Sequence, residues 1–184
     1  MSYITLALYV SLFLEKETSY LGSKLSGLDL VYASLFSGLT PRYLSIMALG
    51  IAGQLVLGPP RFFSLPLLIL ASVIEELYFR VKLYDELKIS GGWRRAYIIT
   101  LLLYSLFHIS FISLLKLLPL LPIFLLLGAL FQELRLKWGL ASSIIAHIAY
   151  NILGAFYLVS FTSLSIAIIS LSLAVTLSLV KFLA

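Results

Sequence analysis

The feature that most constrains this chain is a pair of adjacent carboxylates inside a predominantly apolar run. The run extends from Phe62 to Leu83 and carries Glu75, Glu76 and Arg80. A helix of this length and composition would cross a membrane, with the charged groups near the middle of the bilayer. An acidic side chain at that depth costs about 2.5–3.5 kcal/mol on insertion scales, and ionisable groups there are by default candidates for function.

The spacing of these three residues assigns them different roles. Glu76 and Arg80 are four residues apart, so on a helix they share one face and can form an ion pair. Glu75 is rotated by about 100° and faces another side of the helix. We therefore predict that Glu76 and Arg80 support the helix and that Glu75 is the candidate for chemistry.

The composition indicates an integral membrane protein. Hydrophobic residues make up 61% of the 184 residues and charged residues only 11%, whereas soluble domains have about 45–50% and about 25%. Long apolar runs favour helices over alternating strands. The expected fold class is all-α, a polytopic transmembrane bundle of about seven helices with a four-helix catalytic core. Because the chain has no cysteine, disulfides and thiolate metal sites are excluded.

One integral membrane domain is expected, with N-terminal helices in residues 1–61, a catalytic core in 62–159 and a last helix in 160–184. Lys88–Arg95 is predicted to be a loop and Gln132–Trp138 a charged turn. The predicted spans or partial spans are Ser2–Leu14, Leu30–Thr40 (interfacial, or the first half of a kinked helix), Tyr43–Gly58, Phe62–Leu87, Ala96–Leu115, Leu117–Phe131, Gly139–Val159 and Phe161–Leu183.

The distribution of basic residues predicts the orientation in the membrane. If the Lys88–Arg95 loop is cytoplasmic and the spans alternate, the outer side holds only Arg61 and Lys116. The positive-inside rule favours this arrangement and explains the net charge of +5 without nucleic-acid binding. The residues assigned to the cytoplasmic side are Lys16, Lys24, Arg42, Lys82, Lys88, Arg94, Arg95, Arg135, Lys137 and Lys181.

The two histidines of the chain both fall inside predicted spans. Tyr104 and His108 share one helix face, and His147 and Asn151 share a face of another helix, since each pair is four residues apart. Counted at 1.5 Å per residue from the assumed cytoplasmic ends, Glu75, His108 and Asn151 lie about 18 Å deep and His147 about 12 Å. Polar groups from three helices are therefore predicted to converge on one layer.

Three motifs together resemble the CPBP (Abi) family of intramembrane proteases, which includes the type II CAAX prenyl endopeptidases. They are Glu-Glu-x-x-x-Arg beginning at Glu75, aromatic-x-x-x-His ending at His108, and His-x-x-x-Asn beginning at His147. The resemblance covers residues from about 62 to 159. Tyr104 stands where the family usually has Phe, so the aromatic character is kept.

The resemblance implies an intramembrane endopeptidase that cleaves a peptide bond near the cytoplasmic side of the membrane. Glu75 and His108 would activate a water molecule for attack on the peptide carbonyl. His147 and Asn151 would stabilise the oxyanion, because donors aimed at charge that develops in the transition state lower the barrier. The supporting residues would be Glu76, Arg80 and Tyr104.

Other readings remain open. Zinc could be held by Glu75, His108 and His147, since two histidines and a glutamate form a known catalytic set, but the metal-free mechanism is favoured and no cofactor is expected. A non-enzymatic membrane immunity or scaffold protein of the same fold would not need all four polar residues, and a carrier would usually show inverted repeats. The expected partners are a membrane-associated peptide or protein substrate and the lipid bilayer, with no nucleic acid. The active-site cavity is expected to open to the cytoplasm.

Overall fold

The computed structural model describes Leu25 and residues 27–57, 65–108, 118–159 and 162–182. Within these residues the chain forms six α-helices, a π-helical segment, a short 3₁₀ turn and two three-residue strands. In chain order they are α1 (Gly27–Ile51), β1 (Leu55–Leu57), α2 (Leu65–Glu76), the π-helical segment (Leu77–Leu83), α3 (Tyr84–His108), the 3₁₀ turn (Leu118–Leu120), α4 (Leu121–Trp138), α5 (Leu140–Gly154), β2 (Tyr157–Val159) and α6 (Ser163–Phe182).

The predicted helical class is confirmed, and two segments satisfy the length and hydropathy of a membrane span. They are Leu118–Trp138 and Ser163–Phe182. At 1.5 Å per residue they are about 30 Å long, which matches the hydrocarbon thickness of a bilayer. The first helix expected at Ser2–Leu14 lies outside the described residues, so the number of about seven helices stays a prediction.

Small polar residues are buried in the bundle beside an apolar core, and other large apolar residues cover its outer surface. Ser37, Ser72 and Ser143 are almost fully buried, whereas Leu67 and Leu171 are about two-thirds exposed. Without a hydrophobic force between helices in lipid, close approach through small residues is what holds such bundles together.

The contact between α1 and α5 shows this packing most clearly. A Cβ atom on Gly38 would overlap the backbone of Ala146, so only glycine allows the two helices to come this close.

Pro41 lies inside a continuous helix in the N-terminal part. Leu30–Thr40 was expected to be either interfacial or the first half of a kinked helix; the structure has one helix, α1, which runs from Gly27 to Ile51 and contains Pro41. Membrane helices tolerate an internal proline because neighbouring groups re-satisfy the freed backbone atoms.

The predicted loop Lys88–Arg95 is helical except at one residue. Gly92 has φ 79° and ψ 166°, a conformation that glycine adopts without steric cost. The chain reverses there, and the second part of α3 runs back along the π-helical segment, since Phe79 of that segment packs edge-on against Tyr104 with ring centroids 5.3 Å apart.

The predicted charged turn Gln132–Trp138 is also wrong, because it forms the last turns of α4. The polar side chains there bind neighbouring helices. Arg135 donates to both carboxylate oxygens of Asp85, at 2.9 and 2.7 Å. Lys137 donates to the carbonyl groups of Val180 and Lys181 at the end of α6.

The helix termini form two ends of the bundle. We call one of them the basic end because it carries Arg135, Lys137 and Lys181. It contains Gly92, the α4–α5 turn at Gly139 and the last turn of α6. The opposite end contains the first residues of α2 and α6 and the last residues of α3 and α5. At this opposite end β1 and β2 pair antiparallel, with Leu57 opposite Tyr157.

Candidate active site

The predicted charged triplet lies where α2 passes into the π-helical segment. Glu75 and Glu76 are the last two residues of α2, and Arg80 lies within the π-helical turns that follow. Wide turns of this kind are often found at functional sites. Glu75 is 3% exposed, and Glu76 and Arg80 are fully buried.

Glu75 lies between the two histidines of the chain. Its Oε2 atom is 3.3 Å from Nε2 of His108 and 3.9 Å from Nε2 of His147. The three side chains come from three helices, α2, α3 and α5. The convergence predicted from helix depth is therefore present around this carboxylate.

The backbone fixes the orientation of His108. Its Nδ1 atom is 2.9 Å from the carbonyl oxygen of Tyr104, so Nδ1 carries the hydrogen and donates it. The ring also stacks on Phe124 at 5.0 Å between centroids. In the neutral ring Nε2 then has a lone pair that faces Glu75, and two lone pairs at this distance repel. The side chains of Glu75 and His108 are stable together when they share one proton, which they can accept and pass on.

Glu76 forms an ion pair with Arg80 and accepts hydrogen bonds from two residues of α5. Nε of Arg80 is 3.4 Å from its Oε2 atom, as the spacing of four residues predicts. Nδ1 of His147 is 2.9 Å from Oε1, and the hydroxyl group of Ser143 donates to Oε2. The ring of His147 stacks on Phe131 at 4.4 Å. Glu76 therefore joins α2 to α5 and fixes the ring of His147.

This contact decides which atom of His147 can act on a substrate. Because Nδ1 donates to the Glu76 carboxylate, only Nε2 points towards Glu75. Nε2 can donate a hydrogen bond only when the ring carries both protons.

Asn151 is held by a residue of α2. Its side-chain Nδ2 atom donates to the hydroxyl oxygen of Ser72 at 2.9 Å. Ser72 is fully buried and donates in turn to the carbonyl oxygen of Leu68. The amide group has a second hydrogen on Nδ2, which this bond does not use.

Tyr104 lies one helical turn before His108 and is fully buried. The guanidinium carbon of Arg80 is 4.5 Å from the centre of its ring, a cation–π distance. A Cβ atom on Gly128 would lie 2.9 Å from the Tyr104 ring, so glycine in α4 makes room for the aromatic side chain. Tyr104 therefore supports Arg80 and the helix that carries His108.

The four predicted catalytic residues line one cavity of about 280 Å³. All six described helices contribute to its lining, and the four-helix catalytic core stays a prediction. The cavity lies towards the end of the bundle opposite the basic end. Its lining residues are Arg42, Leu68, Ala71, Glu75, Tyr104, His108, Leu120, Ile123, Phe124, Leu127, His147, Tyr150, Asn151 and Ile169.

Arg42 is the largest departure from the sequence-based assignment. It was placed on the cytoplasmic side because it falls between the predicted segments Leu30–Thr40 and Tyr43–Gly58, but it lies within α1 and lines the cavity. Ser72, Phe124, Phe131 and Ser143 were also missed as site residues. Their contacts join residues far apart in the chain, and no local spacing signals them.

The zinc alternative requires three ligands with suitable geometry. Among the residues that the structure describes, no group of three or more His, Asp or Glu side chains is arranged as a ready-made metal site. If zinc were used, Glu75, His108 and His147 would be its ligands. The metal-free mechanism therefore stays a prediction, and no step of the reaction is derived through a metal.

Comparison with known proteins agrees with the motifs. The family model described as type II CAAX prenyl endopeptidase Rce1-like matches residues 57–153. No curated protein and no solved structure matches the chain. The matched segment covers just over half of the chain and contains all seven predicted site residues. The chain therefore belongs to the Rce1-like family of type II CAAX prenyl endopeptidases.

Proposed function

We propose that this integral membrane protein is an endopeptidase in which Glu75 and His108 activate water directly. Membership of a protease family implies a peptide or protein substrate in the membrane. The observation that carries the proposal is the carboxylate of Glu75, which lines a cavity within 3.3 Å of Nε2 of His108.

The proposed reaction needs one base and one proton carrier. Glu75 takes a proton from water as the water oxygen attacks the carbonyl carbon of the scissile bond. A general base that is positioned next to the reacting water contributes about 10²–10⁴-fold to the rate. The proton shared with His108 passes to the leaving nitrogen as the C–N bond breaks.

The oxyanion is the second charge that the site must stabilise. Asn151 offers the hydrogen of Nδ2 that Ser72 does not accept. His147 offers Nε2–H when its ring is doubly protonated. Both residues lie on one face of α5 and line the same cavity. This arrangement is supported by three residues that hold His147 and the helices in place, namely Glu76, Arg80 and Tyr104.

The proposal is tested with purified protein in liposomes that contain a library of membrane-anchored peptides. Mass spectrometry of the products gives the bond that is cleaved. We expect cleavage by the wild-type protein and none by the Glu75→Gln variant. A matched control is Glu86→Gln, which removes an exposed carboxylate at the basic end and should leave cleavage unchanged. A correctly folded wild-type protein that cleaves no peptide would favour the non-enzymatic scaffold instead.

Cleavage near the cytoplasmic side, through a cavity open to the cytoplasm, stays a prediction. The cavity lies away from the basic end, and the positive-inside rule places that basic end in the cytoplasm. A cytoplasmic opening therefore requires the opposite orientation, so the two sequence-based predictions conflict in this fold.

Cysteine labelling decides between them, because the natural chain has no cysteine. Ser90 and Ser163 are exposed residues near the basic and the opposite end. A membrane-impermeant thiol reagent added to intact cells should label Ser90→Cys if the cavity opens to the cytoplasm. Labelling of Ser163→Cys alone would show that the cavity end faces outward.

A further inference from the structure

Arg42 is a cation in the wall of the proposed catalytic cavity. It belongs to α1, outside the residues that match the family model, and it lines the cavity together with Glu75, His147 and Asn151. The mechanism described above does not use it. An arginine inside a membrane helix is costly, and such residues generally mark substrate or ion sites.

Neutral groups of α5 and β2 hold the guanidinium in place. Nε donates to the carbonyl oxygen of Tyr150 at 3.2 Å, and Nη1 donates to the hydroxyl oxygen of Tyr157 at 2.8 Å. The guanidinium carbon lies 3.7 Å from the centre of the Tyr150 ring. A Cβ atom on Gly154 would lie 2.6 Å from Nη2, so glycine leaves the space that the group occupies.

The positive charge of Arg42 has no carboxylate within ion-pair distance in the described part of the chain. A guanidinium group has five N–H donors, and the two bonds described above use two of them. A fixed cation with three remaining donors is suited to a carboxylate, which it can bind through two parallel hydrogen bonds.

The point on α5 that Arg42 contacts gives the distance between its guanidinium group and the proposed reaction site. Tyr150 is three residues beyond His147, about 4.5 Å along the helix axis. A carboxylate bound to the guanidinium would lie about 3 Å further. An extended peptide advances about 3.3–3.6 Å per residue, so the bound carboxylate would lie about two or three residues from the scissile bond.

We propose that Arg42 is a specificity-determining residue that binds a carboxylate of the peptide substrate close to the cleaved bond. The carboxylate belongs to the chain terminus or to an acidic side chain. This inference rests on the proposed endopeptidase function.

Three versions of one cleavable peptide test the inference. The first ends in a free carboxylate three residues after the scissile bond, the second is amidated there, and the third is amidated but has Asp as its last residue. The wild-type protein should cleave the first or the third with a kcat/KM about 10- to 100-fold above the amide, the range expected for a charge-assisted hydrogen bond. The two acidic peptides separate the terminal from the side-chain source.

Variants show whether Arg42 is responsible for the preference. Arg42→Gln should remove the preference and cleave the amide as the wild-type protein does, an outcome that a merely structural role would not give. Gly154→Ala should weaken the preference because the added methyl group displaces the guanidinium, and it serves if Arg42→Gln does not fold. Arg94→Gln removes an exposed cation at the basic end and should leave the preference intact.

Measuring how tightly the peptides bind to an inactive variant distinguishes failure of this inference from failure of the proposed function. Fluorescent versions of the three peptides are titrated onto the Glu75→Gln protein, and anisotropy gives each Kd. Tighter binding of an acidic peptide, lost in Glu75→Gln/Arg42→Gln, supports the inference even if the wild-type protein cleaves nothing. Equal kcat/KM for all three peptides, equal Kd values, or a preference that survives in Arg42→Gln would overturn it.

Discussion

Glu75 and Glu76 are neighbours in the chain and both lie near His147, but only one of them reaches the cavity. Glu75 faces the cavity and lies against His108, whereas Glu76 is enclosed by Arg80, His147 and Ser143 and is fully buried. One carboxylate can meet a substrate and the other cannot. A helix that rotates about 100° per residue thus separates chemistry from support within a single step of the chain.

The largest expected effect is a loss of catalytic rate, without a loss of stability, when Glu75 is replaced. Glu75→Gln keeps the volume of the side chain but removes the base, so kcat should fall by at least about 10²–10⁴-fold. Because the side chain at position 75 lines a cavity, the unfolding temperature of the variant in detergent should stay close to that of the wild-type protein. Peptide cleavage and thermal unfolding measured on the same preparation check this. A variant that keeps more than a tenth of the activity would contradict the role of Glu75.

Glu76→Gln should instead lower stability together with rate. It leaves the fully buried guanidinium of Arg80 without its carboxylate, and breaking a buried ion pair costs about 3–5 kcal/mol. It also releases His147, so the remaining activity should be low. Unfolding by heat or denaturant in detergent measures the loss.

The double variant Glu76→Gln/Arg80→Met is the matched control for this loss. It removes both charges and should recover a large part of the stability without recovering the activity. Equal instability of the single and double variants would show that the ion pair is not the cause.

Asn151→Ala should have a smaller effect than Glu75→Gln. It removes one oxyanion donor, which typically costs about 10²–10³ in kcat, or about 2.7–4 kcal/mol. KM should change little, because the donor acts on charge that develops in the transition state. Steady-state kinetics give both constants, and a pure rise in KM would assign Asn151 to substrate binding.

Ser72→Ala should have the smallest effect of the series. Ser72 accepts a hydrogen bond from Asn151 and so positions the amide without reaching the cavity lining. We expect a fall in kcat of about tenfold, the equivalent of one hydrogen bond. In the Asn151→Ala background the same change should have no further effect on kcat, and additive losses would show that Ser72 acts by another route.

Local spacing predicted the parts of the site that lie within one helix. The ion pair of Glu76 and Arg80 follows from their separation of four residues, and Tyr104 lies one turn before His108 on the same face. Counting residues from helix ends also predicted that polar groups of three helices would converge.

Contacts between distant segments were beyond such reasoning. His147 is 71 residues from the carboxylate that fixes its ring, and Arg42 is 108 residues from the carbonyl group that it binds. Hydropathy also failed at Gln132–Trp138, because a helix end whose charges bind partners has the same composition as a loop. Two adjacent glycines suggested a loop at Gly91 and Gly92, but only Gly92 leaves the helical conformation.

The most direct test of the central claim is the metal content of active protein, because the claim is that Glu75 acts on water without a metal. Purified protein that cleaves peptides is analysed for bound elements before and after treatment with a chelator, alongside the rates of the His108→Ala and His147→Ala variants. The account predicts no stoichiometric metal and a rate that the chelator does not change. One zinc per chain that is lost together with activity and restored with it would contradict the account.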